Sequence, residues 1–549
     1  MKQNILFILI TILFLNNCKE IKKTNIKNNN TEGILDSAVV IKDFRDFKVL
    51  DSKFLKNETL WKDINESLIG FNQVNYDALK PLILEQDIPT IQKNIKEGQL
   101  SYEQLVKFYL YRIRQFDREN ELSLNSVIAI NPNAIELAKI ADAEIKTTAE
   151  RHPIFGMPIL LKDNINTKGM ATTAGAIALS NNQTEDAFIV ERLKSHGAII
   201  LGKANLSEWA YFFCGDCPSG YSAVGGQTLN PYGRRIIDTG GSSSGSGVAV
   251  AANFCVAAIG SETSGSILSP ASQNSVVGLK PTIGLLSRTG IIPISSTLDT
   301  AGPITKNVTD NAIVLDAMLG YDAKDSKSIK TDLINGFYSN NYNKKDLQGK
   351  RLGAYKRLLK DSLYTNALTV LKAQGATIIE IEEPEIELPN FLRLLNLDMK
   401  NDLPEYLKKY ANPNLNLSSV SDIIKYNNQD SLLRAPSGQS LFKGVVEDKA
   451  TNTAFTKIKR TLKFNGRSYF LQPIKKHNLD GFVSINNYHA GYAAVAEYPA
   501  ITVPMGYSKN GEPKGLTFIT KPQKELDLLN WTYAYEQASK ARIAPKQYN

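Results

Sequence analysis

Two loops rich in serine and glycine, with one lysine upstream of them, are the residues of this chain best suited to covalent chemistry. The first loop reads Thr239-Gly240-Gly241-Ser242-Ser243-Ser244-Gly245-Ser246-Gly247 and opens a run of small residues, Val248 to Ala258. The second reads Gly260-Ser261-Glu262-Thr263-Ser264-Gly265-Ser266-Ile267. Small side chains let backbone approach a ligand closely and leave N–H groups free to face an anion. The orderly apolar stretches Val248–Ala258 and Val276–Leu279 beside them argue against a flexible linker. Upstream, Lys162 closes the strand-like run Pro158-Ile159-Leu160-Leu161. A lysine amine ordinarily titrates near pH 10.4, but burial can lower that by several units and leave a neutral base. Taken alone, Lys162 reads rather as a strand-end lysine whose head reaches water.

The same serines admit a second chemistry. Gly241-Ser242-Ser243-Ser244-Gly245 fits Gly-x-Ser-x-Gly, the nucleophile elbow of α/β-hydrolases, with Ser243 at its centre. An esterase of that type needs an acid and then a histidine later in the chain, and of His152, His196, His477 and His489 only the last two follow the serine. His489 is the candidate, against the plainer reading of a structural histidine. No Gly-Lys-Ser/Thr ending, His-Glu-x-x-His or paired Cys-x-x-Cys occurs, so the sequence offers no support for a nucleotide or metal site and no cofactor is expected.

Several blocks in order resemble one family. Gly156-Met157-Pro158-Ile159-Leu160-Leu161-Lys162-Asp163-Asn164, Gly240–Gly247, Thr263–Ile267 with Pro270, and Val277-Gly278-Leu279-Lys280-Pro281-Thr282 look like the amidase signature family of Ser–Ser–Lys amidohydrolases. Gly202–Trp209 and Gly225-Gly226-Gln227 before Asn230-Pro231 extend the match, and Ser242 and Ser266 stand 24 positions apart, as in that family. The resemblance covers about residues 88–549, most specifically the core 155–310, and looks closest to bacterial peptide amidases, which remove the C-terminal carboxamide of peptides. It implies Ser266 as nucleophile, Ser242 as a bridging serine joined to Gly241 by a cis peptide bond, and Lys162 as the base behind it. The backbone N–H groups of Thr263, Ser264, Gly265 and Ser266 would form the oxyanion hole. The implied substrate is a peptide amide or small amide, with no cofactor and no nucleic-acid partner. Ser264 stands where many members have glycine, Glu262 where they have aspartate, and Leu268 where many have arginine. The last weakens transfer of substrate contacts from the glutamine-amidotransferase branch. An envelope binding protein that has lost catalysis is the non-enzymatic alternative, and competent side chains at all three catalytic positions weigh against it.

The elements that must position these residues read as layers of an α/β fold. Leu100 to Phe116 is helical in period, with Val106, Tyr109, Leu110 and Ile113 on one face and Ser101, Glu103 and Gln104 at its start. Phe188–His196 with Gly197 and Ala198–Leu201, then Ala367–Gln374 with Gly375 and Ala376–Ile381, repeat a helix, glycine, strand order. Ile501–Pro504 and Gly515–Thr520 flank Asn510-Gly511 as a hairpin, and a last helix is expected over 525–541. Residues 385–470 lack a clear pattern and are expected to form a helical insertion; the short chain between Val483 and Pro499 suggests an open cleft. The expected class is a single large α/β domain with a mixed sheet flanked by helices.

The chain has 549 residues, 42% hydrophobic and 22% charged, enough for a core and incompatible with wholesale disorder. A net charge of +9 over this length is no nucleic-acid footprint. Part of it lies in Lys19, Lys22, Lys23 and Lys27. Met1 to Cys18 reads as a signal peptide: a lysine, an apolar run Ile5–Leu15 too short to span a bilayer, then Asn16-Asn17-Cys18 resembling a lipoprotein box. Residues 19–33 look like a flexible tether, and 34–87 form a lead-in without assignment. The expectation is an exported envelope protein, lipid-anchored at Cys18, touching membrane only there. Cys214 and Cys217 read either as a small disulfide loop near the substrate mouth or as two thiols, and Cys255 as a buried cysteine.

Overall fold

Ser101 shows how local sequence starts an element here. Its hydroxyl accepts from the Gln104 N–H while the Gln104 side chain accepts from the Ser101 N–H, and this reciprocal cap opens the helix Tyr102–Phe116. Val106, Tyr109, Leu110 and Ile113 are all buried on it. The computed structural model describes residues 47–145, 151–330, 336–342 and 347–549. The expected signal peptide with Cys18, the expected tether and residues 34–46 of the lead-in lie outside them.

From residue 47 onward the described chain forms one α/β unit. Its strands are β1 (Val127–Ile130), β2 (Pro158–Lys162), β3 (Ile199–Ala204), β4 (Tyr221–Ser222), β5 (Gly226–Gln227), β6 (Ala257–Glu262), β7 (Val277–Lys280), β8 (Thr300–Thr305), β9 (Arg351–Tyr355), β10 (Thr377–Ile381), β11 (Gly481–Ile485), β12 (Ala500–Tyr507) and β13 (Pro513–Ile519). Eleven of them make one mixed sheet in the order β1-β3-β2-β6-β8-β7-β12-β13-β11-β9-β10, and β4 pairs with β5. β2 runs parallel to both β3 and β6, while β6, β8, β7, β12, β13 and β11 alternate antiparallel. The α/β class with a mixed sheet is therefore as the sequence suggests. Both helix-glycine-strand segments are present, as Phe188–Ser195 before β3 and Ser362–Ala373 before β10, with Gly197 and Gly375 in the left-handed region. β12 and β13 form the hairpin, and Glu525–Ser539 is the last long helix.

This order places the chemistry. Because β2 and β6 are parallel neighbours, their C-terminal ends, Lys162 and Ser261-Glu262, emerge side by side at one edge of the sheet. The helix Ser244–Ala251 lies against the sheet with every residue buried, which explains the run of small side chains after the first serine loop. A second apolar core, with Trp209, Phe213, Leu394, Leu403, Phe442 and Leu462, sits beneath the helices Phe391–Lys409, Val420–Asn428, Ser440–Glu447 and Asn452–His477. Cys214 and Cys217 are disulfide-bonded, and their loop is pinned to those helices where the Gly215 N–H donates to Ser440 Oγ at 2.9 Å. From residue 47 the lead-in packs into the main core through Leu55, Trp61, Ile64 and Tyr76.

Candidate active site

Lys162, at the end of β2, is fully buried. Its Nζ donates to Ser242 Oγ at 2.7 Å, to Ser261 Oγ at 2.9 Å and to the Ser261 carbonyl at 3.0 Å. Asn164 donates to the same Ser261 hydroxyl at 2.9 Å. Next in the chain, Asp163 forms a buried ion pair with Lys203 of β3 at 3.0 Å and accepts from the Thr173 N–H, so the strand end is held from both sides. Burial lowers the Lys162 pKa to about 7, against the opposing pull of Asp299 and Glu262. Near neutral pH a large fraction of this amine is uncharged.

The two serine loops are joined to each other through backbone. The Ser243 N–H donates to the Ser266 carbonyl at 3.1 Å, and the Ser242 carbonyl accepts from the Ser207 N–H at 3.0 Å. The Gly241–Ser242 peptide is cis. Ser242 is fully buried and Ser266 half-buried, so Ser266 is the hydroxyl of the pair that reaches toward solvent. Its tie to Lys162 and Ser242 runs through main chain; the structure forms no bond from the Ser266 hydroxyl to either among the described residues.

The turn Thr263–Ser266 is built from the opposite side. Glu262 Oε2 accepts from the Ile267 and Leu268 N–H groups at 2.7 and 3.0 Å, which starts the helix Leu268–Gln273 immediately after the serine. Among the described residues, no acceptor takes the N–H groups of Ser264, Gly265 or Ser266. Gly265 has φ +91°, and a Cβ there would lie 2.8 Å from Asn487 Nδ2, so both conformation and the adjoining Asn487 loop demand glycine. Ser264 does not lie in the left-handed region, so its backbone conformation is open to a serine. Leu268 is fully buried.

The alternative serine and histidine are held elsewhere. Ser243 Oγ donates to the Ser261 carbonyl at 3.1 Å inside the loop. His489 is stacked on Tyr355 with ring centroids 4.0 Å apart, bonds Ser484 Oγ through Nδ1 at 2.5 Å, and lies 3.6 Å from Glu383 through Nε2. These are the contacts of a packing histidine. His489→Ala is therefore expected to cost about 1–3 kcal/mol of stability and to leave amide turnover within a few-fold of the parent. A folded variant without turnover would reinstate the elbow.

The family model described as Amidase matches residues 104–435, more than half of the chain. The chain belongs to the amidase family. A probable amidase of Arabidopsis thaliana is 38% identical over 483 residues, covering 84% of this chain and 92% of that protein. The crystal structure of an amidase family protein from Bacillus anthracis superposes with a TM-score of 0.86 at 38% identity, over 90% of this chain and 99% of that one. The peptide amidase of Stenotrophomonas maltophilia superposes at 0.80 and 38% identity, over 84% of this chain and 98% of that one. This amidase is thus a hydrolase acting on amides.

Ser261 was not singled out by the sequence, although it supplies two of the three acceptors around the Lys162 amine. Its only signal was its place at the head of the second loop. Asp299, bonded to Thr263 Oγ1 at 2.5 Å, gave no signal of its own.

Proposed function

We propose that this amidase converts a carboxamide and water to a carboxylate and ammonia through an acyl-Ser266 ester, and that the carboxamide is a peptide C-terminal amide or a small amide. The observation that carries the proposal is a buried amine, its pKa lowered to about 7, 2.7 Å from Ser242 Oγ and beside a turn with three N–H groups that no acceptor among the described residues takes. Ser242 relays the proton: Lys162 draws from Ser242 while Ser242 draws from Ser266, and the Ser266 oxygen adds to the carbonyl carbon. Such hydrogen bonds tighten when substrate is seated. The resulting oxyanion is held by the N–H groups of Thr263, Ser264, Gly265 and Ser266, the kind of preorganised donor set that dominates acyl-transfer catalysis. The proton on Lys162 then returns through Ser242 to the leaving nitrogen, the C–N bond breaks and ammonia departs. Water, deprotonated by the same relay, cleaves the ester and regenerates Ser266.

Similarity to the Stenotrophomonas peptide amidase supports the peptide-amide class. The experiment is a panel of an N-acetylated dipeptide amide, a free amino-acid amide and an aryl amide, scored by ammonia or amine release together with the free acid. The dipeptide amide is expected to turn over fastest; absence of ammonia from every amide would overturn the proposal. Export and lipid anchoring at Cys18 remain part of the proposal on the strength of residues 1–18 alone.

A further inference from the structure

Asp299 lies immediately before β8, across from the end of β6, where Thr300 pairs with Glu262. It is buried, and its two oxygens collect three donors. Oδ1 accepts from Thr263 Oγ1 at 2.5 Å; Oδ2 accepts from the Ile294 and Ser295 N–H groups at 2.8 and 2.9 Å. The loop that wraps this carboxylate is in turn fastened to the helical layer. Ser295 Oγ donates to Asp398, the Ser296 N–H donates to Asp402 at 2.6 Å, and Asp398 is paired with Lys459 at 2.9 Å. Arg288, paired with Asp325, donates to the Ser296 carbonyl on the same loop.

We infer that Asp299 is a positioning residue for acyl transfer, holding the anion-binding turn by the Thr263 hydroxyl. This rests on the Ser–Ser–Lys reading above and adds a residue to it that touches neither substrate nor the reacting atoms. The first role is geometric. Thr263 is the first residue of the turn whose N–H groups face the oxyanion, and such sites lose rate when donors move by fractions of an ångström. The second role is electrostatic. Burial alone would drive the Lys162 amine still lower, and Asp299 is the larger of the two charges that oppose it, ahead of Glu262. Asp299 is itself raised to about 6 by burial, against the pull of its three donors and of Arg288, with Asp402 across the loop adding negative charge. Its negative charge grows as pH rises through about 6, and that charge favours the protonated Lys162 amine.

The test is Asp299→Asn in the full chain, assayed by ammonia release from an N-acetylated dipeptide amide between pH 5 and 9. An amide cannot accept from all three donors, because its NH2 must face one set of them. We expect kcat to fall by about 10- to 100-fold with KM nearly unchanged, and the acid limb of the profile to move to lower pH as the amine loses its anionic neighbour. Thr263→Val, which removes the hydroxyl and leaves the charge, should lower kcat without moving the limb, and Thr263→Ser should restore the rate. A structural role alone would lower the folded fraction and leave the limb in place. Wild-type kcat and an unmoved limb in Asp299→Asn would overturn the inference, as would a fully active Thr263→Val should the asparagine variant not fold. If Ser266→Ala or Lys162→Ala remained active, the underlying reading would fail instead, and the two failures are thereby distinct.

Discussion

Ser266→Ala abolishes turnover, with an expected loss of about 10⁴-fold or more in kcat, while the protein folds as before. The size of the effect follows from what is removed. In the proposed mechanism Ser266 Oγ is the atom that forms the ester, and the neighbouring hydroxyls cannot replace it: Ser242 is fully buried against Lys162, and Ser243 is spent on the Ser261 carbonyl. Stability is spared because the contacts of this residue to the site are main-chain ones. Its carbonyl receives the Ser243 N–H, and the neighbouring Ile267 and Leu268 N–H groups cap on Glu262. The check has two readouts. Ammonia release from a peptide amide reports turnover, and a fluorophosphonate probe reports the nucleophile, adding its phosphonyl mass to the parent protein and not to the variant. A variant that is folded, labelled and active would remove Ser266 from the mechanism.

What made this site legible was local density. Lys162 closes an unbroken apolar run, and the loops 239–247 and 260–267 concentrate serine and glycine where a core strand or helix begins. Each of those signals sits within ten residues of chain, and the resulting elements are strand β2, the helix Ser244–Ala251 and strand β6. The periodic segments were legible for the same reason, since the Ser101 cap and the Asn510-Gly511 turn are decided by their neighbours in sequence. Asp299 was not. Its significance comes from Thr263, 36 residues away, and from Asp398 and Asp402 about a hundred residues beyond, and no local pattern encodes that meeting. Residues 47–87 were silent for another reason. Their helices are short, one carries Pro81 in its interior, and they are stabilised by burying Trp61 and Tyr76 on the rest of the core rather than by their own period.

Fold and relay also differ in what the sequence could establish about charge. The composition says only that many lysines are present; it is the placement of Lys162 under Ser242 and Ser261, away from water, that changes its titration. Elsewhere in this unit the fully buried Lys203 is paired with Asp163 and the largely covered Arg542 with Glu85, and these cations serve packing. Lys162 instead meets hydroxyls and a carbonyl, acceptors that solvate an amine without fixing its charge. That difference is what the proposed role of Lys162 as a base requires.

Lys162→Met carries the second large effect, and it has two faces with opposite consequences. Methionine matches the length and apolar character of the lysine stem but cannot take a proton, so turnover should fall by about 10³-fold or more while the Ser266 hydroxyl remains in place. In the parent, the proposed relay requires the neutral amine. Its pKa is lowered to about 7, so kcat/KM should rise with pH through that value and level off above it, and the limb should vanish from whatever activity the variant retains. Stability follows the same titration with a sign that can be worked out. In the unfolded chain the amine holds its proton up to about pH 10.4, whereas in the folded chain it gives it up above about 7. Between these values the unfolded state binds the extra proton, so the parent gains stability as pH rises from 7 to 10, by up to roughly 4 to 5 kcal/mol over the full interval. The variant lacks that titration. Denaturant midpoints measured from pH 6 to pH 10 should therefore climb more steeply for the parent than for Lys162→Met. Parallel curves, or a variant that still releases ammonia at the parental rate, would mean that the amine keeps its proton throughout and serves only as a hydrogen-bond donor to Ser242.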